Sequence, residues 1–144
     1  MKVYMDNCWF NRPFDDQSRI RIRLESEAKL EIQEEVRSGR LQLVWSYILD
    51  YENNSNPFQD RKVRISIWKK YSIEDVQANS ELLEIANLLS RKGLQKIDSL
   101  HIACAILAKC DYFLTTDDKI LQRAKQINDI AIADPIGFIK EVLS

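Results

Sequence analysis

Short apolar runs that alternate with longer segments of helical period constrain this chain more than any other feature. Residues 2–5, 41–45, 112–115 and 130–132 read as strands, rich in branched and aromatic side chains. Between them lie segments with helical spacing. The spacing predicts helices over 21–38, with Ile20, Leu24, Ala28, Leu30, Ile32 and Val36 as its apolar positions, over 47–52 and over 60–71. Further helices are expected around Leu82 to Leu89, over 98–109, 118–126 and 136–143. Ser46 suits the cap of the second helix, Gly39 and Gly93 suit helix ends, and Pro135 suits a helix start. Strands and helices that alternate in this way argue for an α/β domain, a central parallel sheet with helices on both faces. The segment 7–17 holds Pro13 and several Asn and Asp residues, and reads as a loop or a broken helical turn. No repeat or linker interrupts the 144 residues, so a single domain, 1–144, is expected.

Three aspartates fall at the junctions of this pattern. Asp6 ends the first strand, Asp117 follows the third, and Asp98 opens the helix before it. Ligands of doubly wound sheets bind outside the carboxyl ends of the strands, most often where strand order reverses. Clustered carboxylates repel one another unless a proton or a cation intervenes. Mg²⁺ prefers oxygen ligands and is often held by a few carboxylates together with phosphate. Such an ion favours phosphodiester hydrolysis. Each aspartate taken singly has a second reading, as a helix cap or turn former. Both readings stay open on pattern alone.

Composition narrows the field of partners. Charged residues make up 30% of the chain, yet the net charge is -1, so a polyanion would need a local basic patch or bridging cations. The three cysteines, Cys8, Cys104 and Cys110, form no CxxC pair, and His101 is the only histidine, which argues against a zinc site. Reduced thiols in a cytoplasmic protein are expected. The first ten residues lack a long apolar run, so neither a secretory leader nor a membrane span is expected.

Four segments together resemble the PIN domains, in particular the VapC-like toxin ribonucleases. They are Val3-Tyr4-Met5-Asp6-Asn7, the stretch from Val44 to Glu52, Asp98-Ser99-Leu100-His101-Ile102-Ala103-Cys104-Ala105, and Asp111 to Asp117 with its Thr115-Thr116-Asp117. Ser46 and Glu52 keep the family's spacing of six, and Asp98 and Asp117 its step of nineteen. Asn7 departs from the Thr or Ser that many members carry there. The segment from Cys8 to Asp16 also departs from the common pattern.

The resemblance implies a three-layer α/β/α PIN-like domain and a metal-dependent endoribonuclease, the toxin of a type II toxin–antitoxin pair. Asp6, Asp98 and Asp117 would hold Mg²⁺ or Mn²⁺, directly or through water. Glu52 would complete the catalytic set, with Asp50 as its rival. Asn7 would orient a carboxylate or a water, and Thr115 would steady the site by hydrogen bonding. RNA would be the substrate, and an antitoxin and a homodimer would be the partners. The alternative is a PIN-fold module that binds RNA or protein without cutting. Arg12, Arg19, Arg21, Arg23, Arg61, Lys62 and Arg64 are candidates to hold RNA phosphates, against a default reading as a solvated face. Trp9, Phe10, Trp45 and Trp68 are candidates to stack on bases, against a reading as core. His101 has two readings, general acid–base work or a packed position. Asp118 likewise has two, a further acid or a solvated cap.

Overall fold

The structure, a computed structural model, describes residues 1–11 and 15–143. Arg12, Pro13 and Phe14 lie outside them. Five strands form one all-parallel sheet: β1 (Lys2–Met5), β2 (Gln42–Ser46), β3 (Ser72–Val76), β4 (Tyr112–Leu114) and β5 (Ala131–Ala133). The helices that flank it are α1 (Asn7–Asn11), α2 (Ile20–Arg37), α3 (Tyr47–Asn54), α4 (Gln59–Trp68), α5 (Ser80–Ser90), α6 (Lys96–Leu107), α7 (Asp118–Arg123) and α8 (Pro135–Phe138). The order across the sheet is β3-β2-β1-β4-β5. The chain therefore winds outward from β1 to β3, returns beside β1, and winds out again through β4 and β5. Strand order reverses between β1 and β4, where Tyr4 pairs with Phe113 and Met5 with Leu114.

The central strands are buried on both faces, which is why their sequence is almost continuously apolar. Val3, Tyr4, Met5, Leu43, Val44, Trp45, Phe113 and Leu114 all belong to the core. The edge strand β3 breaks that rule. Its sequence, Ser-Ile-Glu-Asp-Val, has a largely exposed middle, and its register against β2 shifts between Leu43 and Val44. An edge strand with one neighbour needs no apolar pattern, so the alternation of the sequence did not announce it.

Two expectations about the helices change. The segment after Asp6 is helical from Asn7 to Asn11, because the Asp6 side chain accepts the Trp9 N–H at 2.9 Å and caps it. In α2 the expected apolar positions Ile20, Leu24 and Leu30 are exposed. Ala28, Ile32 and Val36 are buried as expected, and Ile22, Glu25 and Lys29 join them on the buried face. Two charged side chains thus occupy core positions, and the Lys29 ammonium lies 5.2 Å from the centre of the Trp9 ring. The remaining helices lie near their expected ranges. Ser46 and Asn79 cap α3 and α5, accepting the N–H groups of Leu49 and Leu82. The last helix, α8, is short and continues as a π turn over Ile139–Leu143.

Gly39 follows α2 at φ +85°, and a Cβ built there would meet nothing within 4 Å. The demand for glycine is therefore purely one of backbone. Gly39→Ala should lower stability by about 1–2 kcal/mol in urea unfolding with an unchanged m-value, and Gly39→Asn should lower it less.

Candidate active site

The β1–β4 junction carries the acidic residues because both strands end there on polar side chains. Asp6 follows β1 directly and is only 2% exposed. Each of its oxygens accepts one hydrogen bond, from the Trp9 N–H at 2.9 Å and from the Thr115 hydroxyl at 2.5 Å. Thr115 follows β4, and its hydroxyl oxygen also accepts the Asp117 N–H at 3.0 Å. A single hydroxyl thus ties the two strand exits together. Asp117 then caps α7 by accepting the Lys119 N–H at 2.8 Å. Asp98 stands in the first turn of α6 rather than at its cap, which is Gln95.

Glu52 reaches the same region from α3, through a short hydrogen bond with Nε2 of His101. Asp50 does not. Residues two apart on a helix point to nearly opposite sides, and Asp50 accepts from Trp45 Nε1 at 3.0 Å and pairs with Lys69 at 3.0 Å.

The carboxylates feel one another. Asp98 is half-buried, and its pKa is pushed up to about 6, first by loss of water and then by the charges of Asp117, Asp6 and Glu52. Burial also raises the pKa of Asp6, against the pull of His101, Thr115, Trp9 and Lys29. Partial burial and the fields of Asp6, Asp117, Glu52 and Asp98 push the Cys8 thiol up to about 12. That thiol is no nucleophile at neutral pH. Cys104 and Cys110 are buried, and no disulfide links any of the three.

The donor set suits a hard cation. It consists of carboxylate oxygens that destabilise one another's charged forms, and Asn7 Oδ1 and Thr116 Oγ1 nearby in sequence are buried without hydrogen-bond partners. Among the described residues, no three His, Cys, Asp or Glu side chains gather closely enough to clasp one ion directly. The backbone carbonyl of Asn7 accepts from the Asn11 side chain at 3.1 Å.

Other sequence candidates stand outside the cluster. Asp118 is exposed and forms a bidentate pair with Arg21 at 2.6 and 2.9 Å, and the cap of α7 is Asp117 rather than Asp118. Trp9, Phe10 and Trp45 are buried in the core, and Trp68 is half-buried with Arg37 against its ring. None of the four is laid open for stacking. His101 is 2% exposed and packed, with both ring nitrogens engaged. Three residues near the site carried no sequence signal. Lys119 and Arg123 border a cleft of about 90 Å³ beside Asp98, together with Gln95 and Gln122. Tyr4, within β1, bonds His101.

The chain is similar to two solved structures. One is VapBC2 from Rickettsia felis, bound to a DNA fragment from its promoter; identity is 12%, the TM-score is 0.57, and the match covers 93% of this chain and 98% of that one. The other is VapBC-1 from nontypeable Haemophilus influenzae, with 16% identity, a TM-score of 0.53, and 94% and 99% covered. No family model matches the chain, and no curated protein matches it. At these identities the likeness shows the fold: a five-stranded, all-parallel PIN-like domain of the kind the four motifs suggest. Among the described residues no helix is long and apolar enough to cross a membrane.

Two measurements test the site's energetics. Burial and neighbouring charge push the Asp98 pKa from its ordinary 3.8 up to about 6 in the folded state, which therefore binds more protons between those values. Its ionisation leaves stability intact below about 3.8 and costs progressively more as pH rises towards 6. In EDTA, Asp98→Asn should raise the melting temperature at pH 7.5, and the gain should shrink by pH 5. Thr115→Val removes the hydroxyl donor of Asp6 and should destabilise by about 1–3 kcal/mol in urea unfolding.

Proposed function

We propose that this chain is a metal-dependent endoribonuclease that acts as the toxin of a toxin–antitoxin pair. The observation that carries the reading is the convergence of Asp6, Glu52, Asp98 and Asp117, from four separate elements, at the point where strand order reverses. The fold it shares with chains of two VapBC structures supports the pairing with an antitoxin. Asp6, Asp98 and Asp117 would hold Mg²⁺ or Mn²⁺, with part of the coordination through water. A bound divalent cation supplies positive charge to a phosphate and makes a water more acidic.

The chain's own residues do the rest. Asp6 is held in one orientation by Thr115 and by the Trp9 N–H. Glu52 is the acid least committed to the cation, and it can take a proton from an attacking water. Lys119 and Arg123 line the cleft beside Asp98 and give a phosphate backbone cationic partners. That local charge offsets the lack of general basic character. A second reading, a PIN-fold module that binds without cutting, remains as an outcome of the test.

The test is cleavage of an RNA pool by protein purified free of contaminating nuclease. Wild type should cleave with Mg²⁺ or Mn²⁺ and stop in EDTA. Asp6→Asn and Asp98→Asn should each lose about a hundredfold or more. A wild type that never cuts, or mutants that cut as well, overturns the enzyme reading. Failure to bind Mn²⁺ in titration would point to the binding module.

A further inference from the structure

A buried polar chain crosses the core of this molecule. Ser46, Tyr4 and His101 are each no more than 2% exposed. The Tyr4 hydroxyl lies 2.6 Å from Ser46 Oγ and 2.6 Å from His101 Nδ1. His101 Nε2 bonds the Glu52 carboxylate. Ser46 Oγ accepts the Leu49 N–H at 3.3 Å as the cap of α3, the helix that carries Glu52. The sequence of contacts therefore closes a ring. It leaves the start of α3, crosses β1 and α6, and returns to α3 at its far end.

Counting donors gives the ring a direction. An ionised Glu52 only accepts, so His101 must donate from Nε2. A neutral ring then has a bare Nδ1, which takes the Tyr4 proton. The Tyr4 oxygen in turn takes the Ser46 hydroxyl proton, and Ser46 accepts from the backbone. With a neutral imidazole, this order satisfies every one of these polar atoms. The opposite tautomer would set a bare Nε2 against the carboxylate. The Tyr4 ring cannot turn away, since it stacks on Phe113 at 5.5 Å with 10° between planes.

We propose that His101 and Tyr4 are positioning residues for Glu52: the relay Ser46→Tyr4→His101 fixes the imidazole with its proton on Nε2, and so holds the Glu52 carboxylate in the acidic site. The inference rests on the reading of Glu52 as a working acid. Its side chain is 27% exposed and, without the tether, has three rotatable bonds with which to wander. Asp98 and His101 are three residues apart on α6 and share a face, so one helix sets both the Asp98 carboxylate and the tether of Glu52.

The single histidine makes the test direct. Nitrogen-15 NMR of the full chain, prepared without a histidine tag, reports one imidazole only. Wild type should show the proton held on Nε2 and a hydrogen-bonded, bare Nδ1. Tyr4→Phe should shift the Nδ1 signal and loosen the tautomer preference. In RNA cleavage, Tyr4→Phe should lower kcat about tenfold or more with KM nearly unchanged. His101→Gln keeps an N–H donor and should retain more activity than His101→Leu. A ring protonated on Nδ1, or on both nitrogens, overturns the relay, as does a Tyr4→Phe protein with the wild-type spectrum or the wild-type kcat. If wild type cuts no RNA, the ribonuclease reading falls, and the tautomer alone judges the relay. Should Tyr4→Phe fail to fold, the wild-type spectrum still decides.

Discussion

Burying the Asp6 carboxylate at the end of β1 costs free energy that its surroundings must offset. The group is nearly inaccessible to water, and an ionised carboxylate in that position needs donors. It has two, the Thr115 hydroxyl and the Trp9 N–H, one on each oxygen. Both come from places the sheet topology brings near. Thr115 is there because β4 pairs with β1 in parallel, so the two strands end at the same level. Trp9 is there because the chain turns at once into α1, which buries the indole and so keeps the N–H aimed at Asp6. Loss of either contact would leave a buried charge poorly solvated, and the strand exits would lose their common tie.

The other acids add strain to the same point. Asp98 and Asp117 come from helices that pack against the sheet for apolar reasons: Ile102, Ala103 and Ala105 on α6, and Ile120 on α7, are fully buried. Packing delivers the carboxylates, and their mutual repulsion is the consequence. The Asp98 pKa, pushed up to about 6, reflects its loss of water first and this repulsion second. A fold optimised for stability alone would not gather these charges, and local rules tend to be broken where a protein acts.

Much of the fold was legible because central parallel strands must be apolar and helices must repeat every 3.6 residues. β1, β2, β4 and β5 each lie within a residue or so of their expected ranges. The edge strand β3 was not legible, since one face and one edge meet water and Glu74 and Asp75 are tolerated there. The helix α1 was hidden because its cap, Asp6, already had another reading. The buried face of α2 was legible at Ala28, Ile32 and Val36 but not at Glu25 and Lys29, since no hydropathy pattern expects charge in a core. Of the site, the gathering of the aspartates could be read from strand ends and motif spacing. The pairing of Asp118 could not, because it depends on Arg21, 97 residues away in sequence.

Tyr4 and Glu52 show where sequence reasoning stops and why. Alternation puts the Tyr4 side chain on the face of β1 opposite Val3 and Met5, but nothing in a strand pattern tells a tyrosine from a phenylalanine. The difference is one hydroxyl, and its value depends on Ser46 and His101, which are 42 and 97 residues away. The choice between Asp50 and Glu52 was similarly open in sequence. The two carboxylates meet different partners across α3: Trp45 and Lys69 on one side, His101 on the other. A polar network inside a core is tolerable only when every member is satisfied. The buried histidine of α6 is therefore explained by its two neighbours, Tyr4 and Glu52.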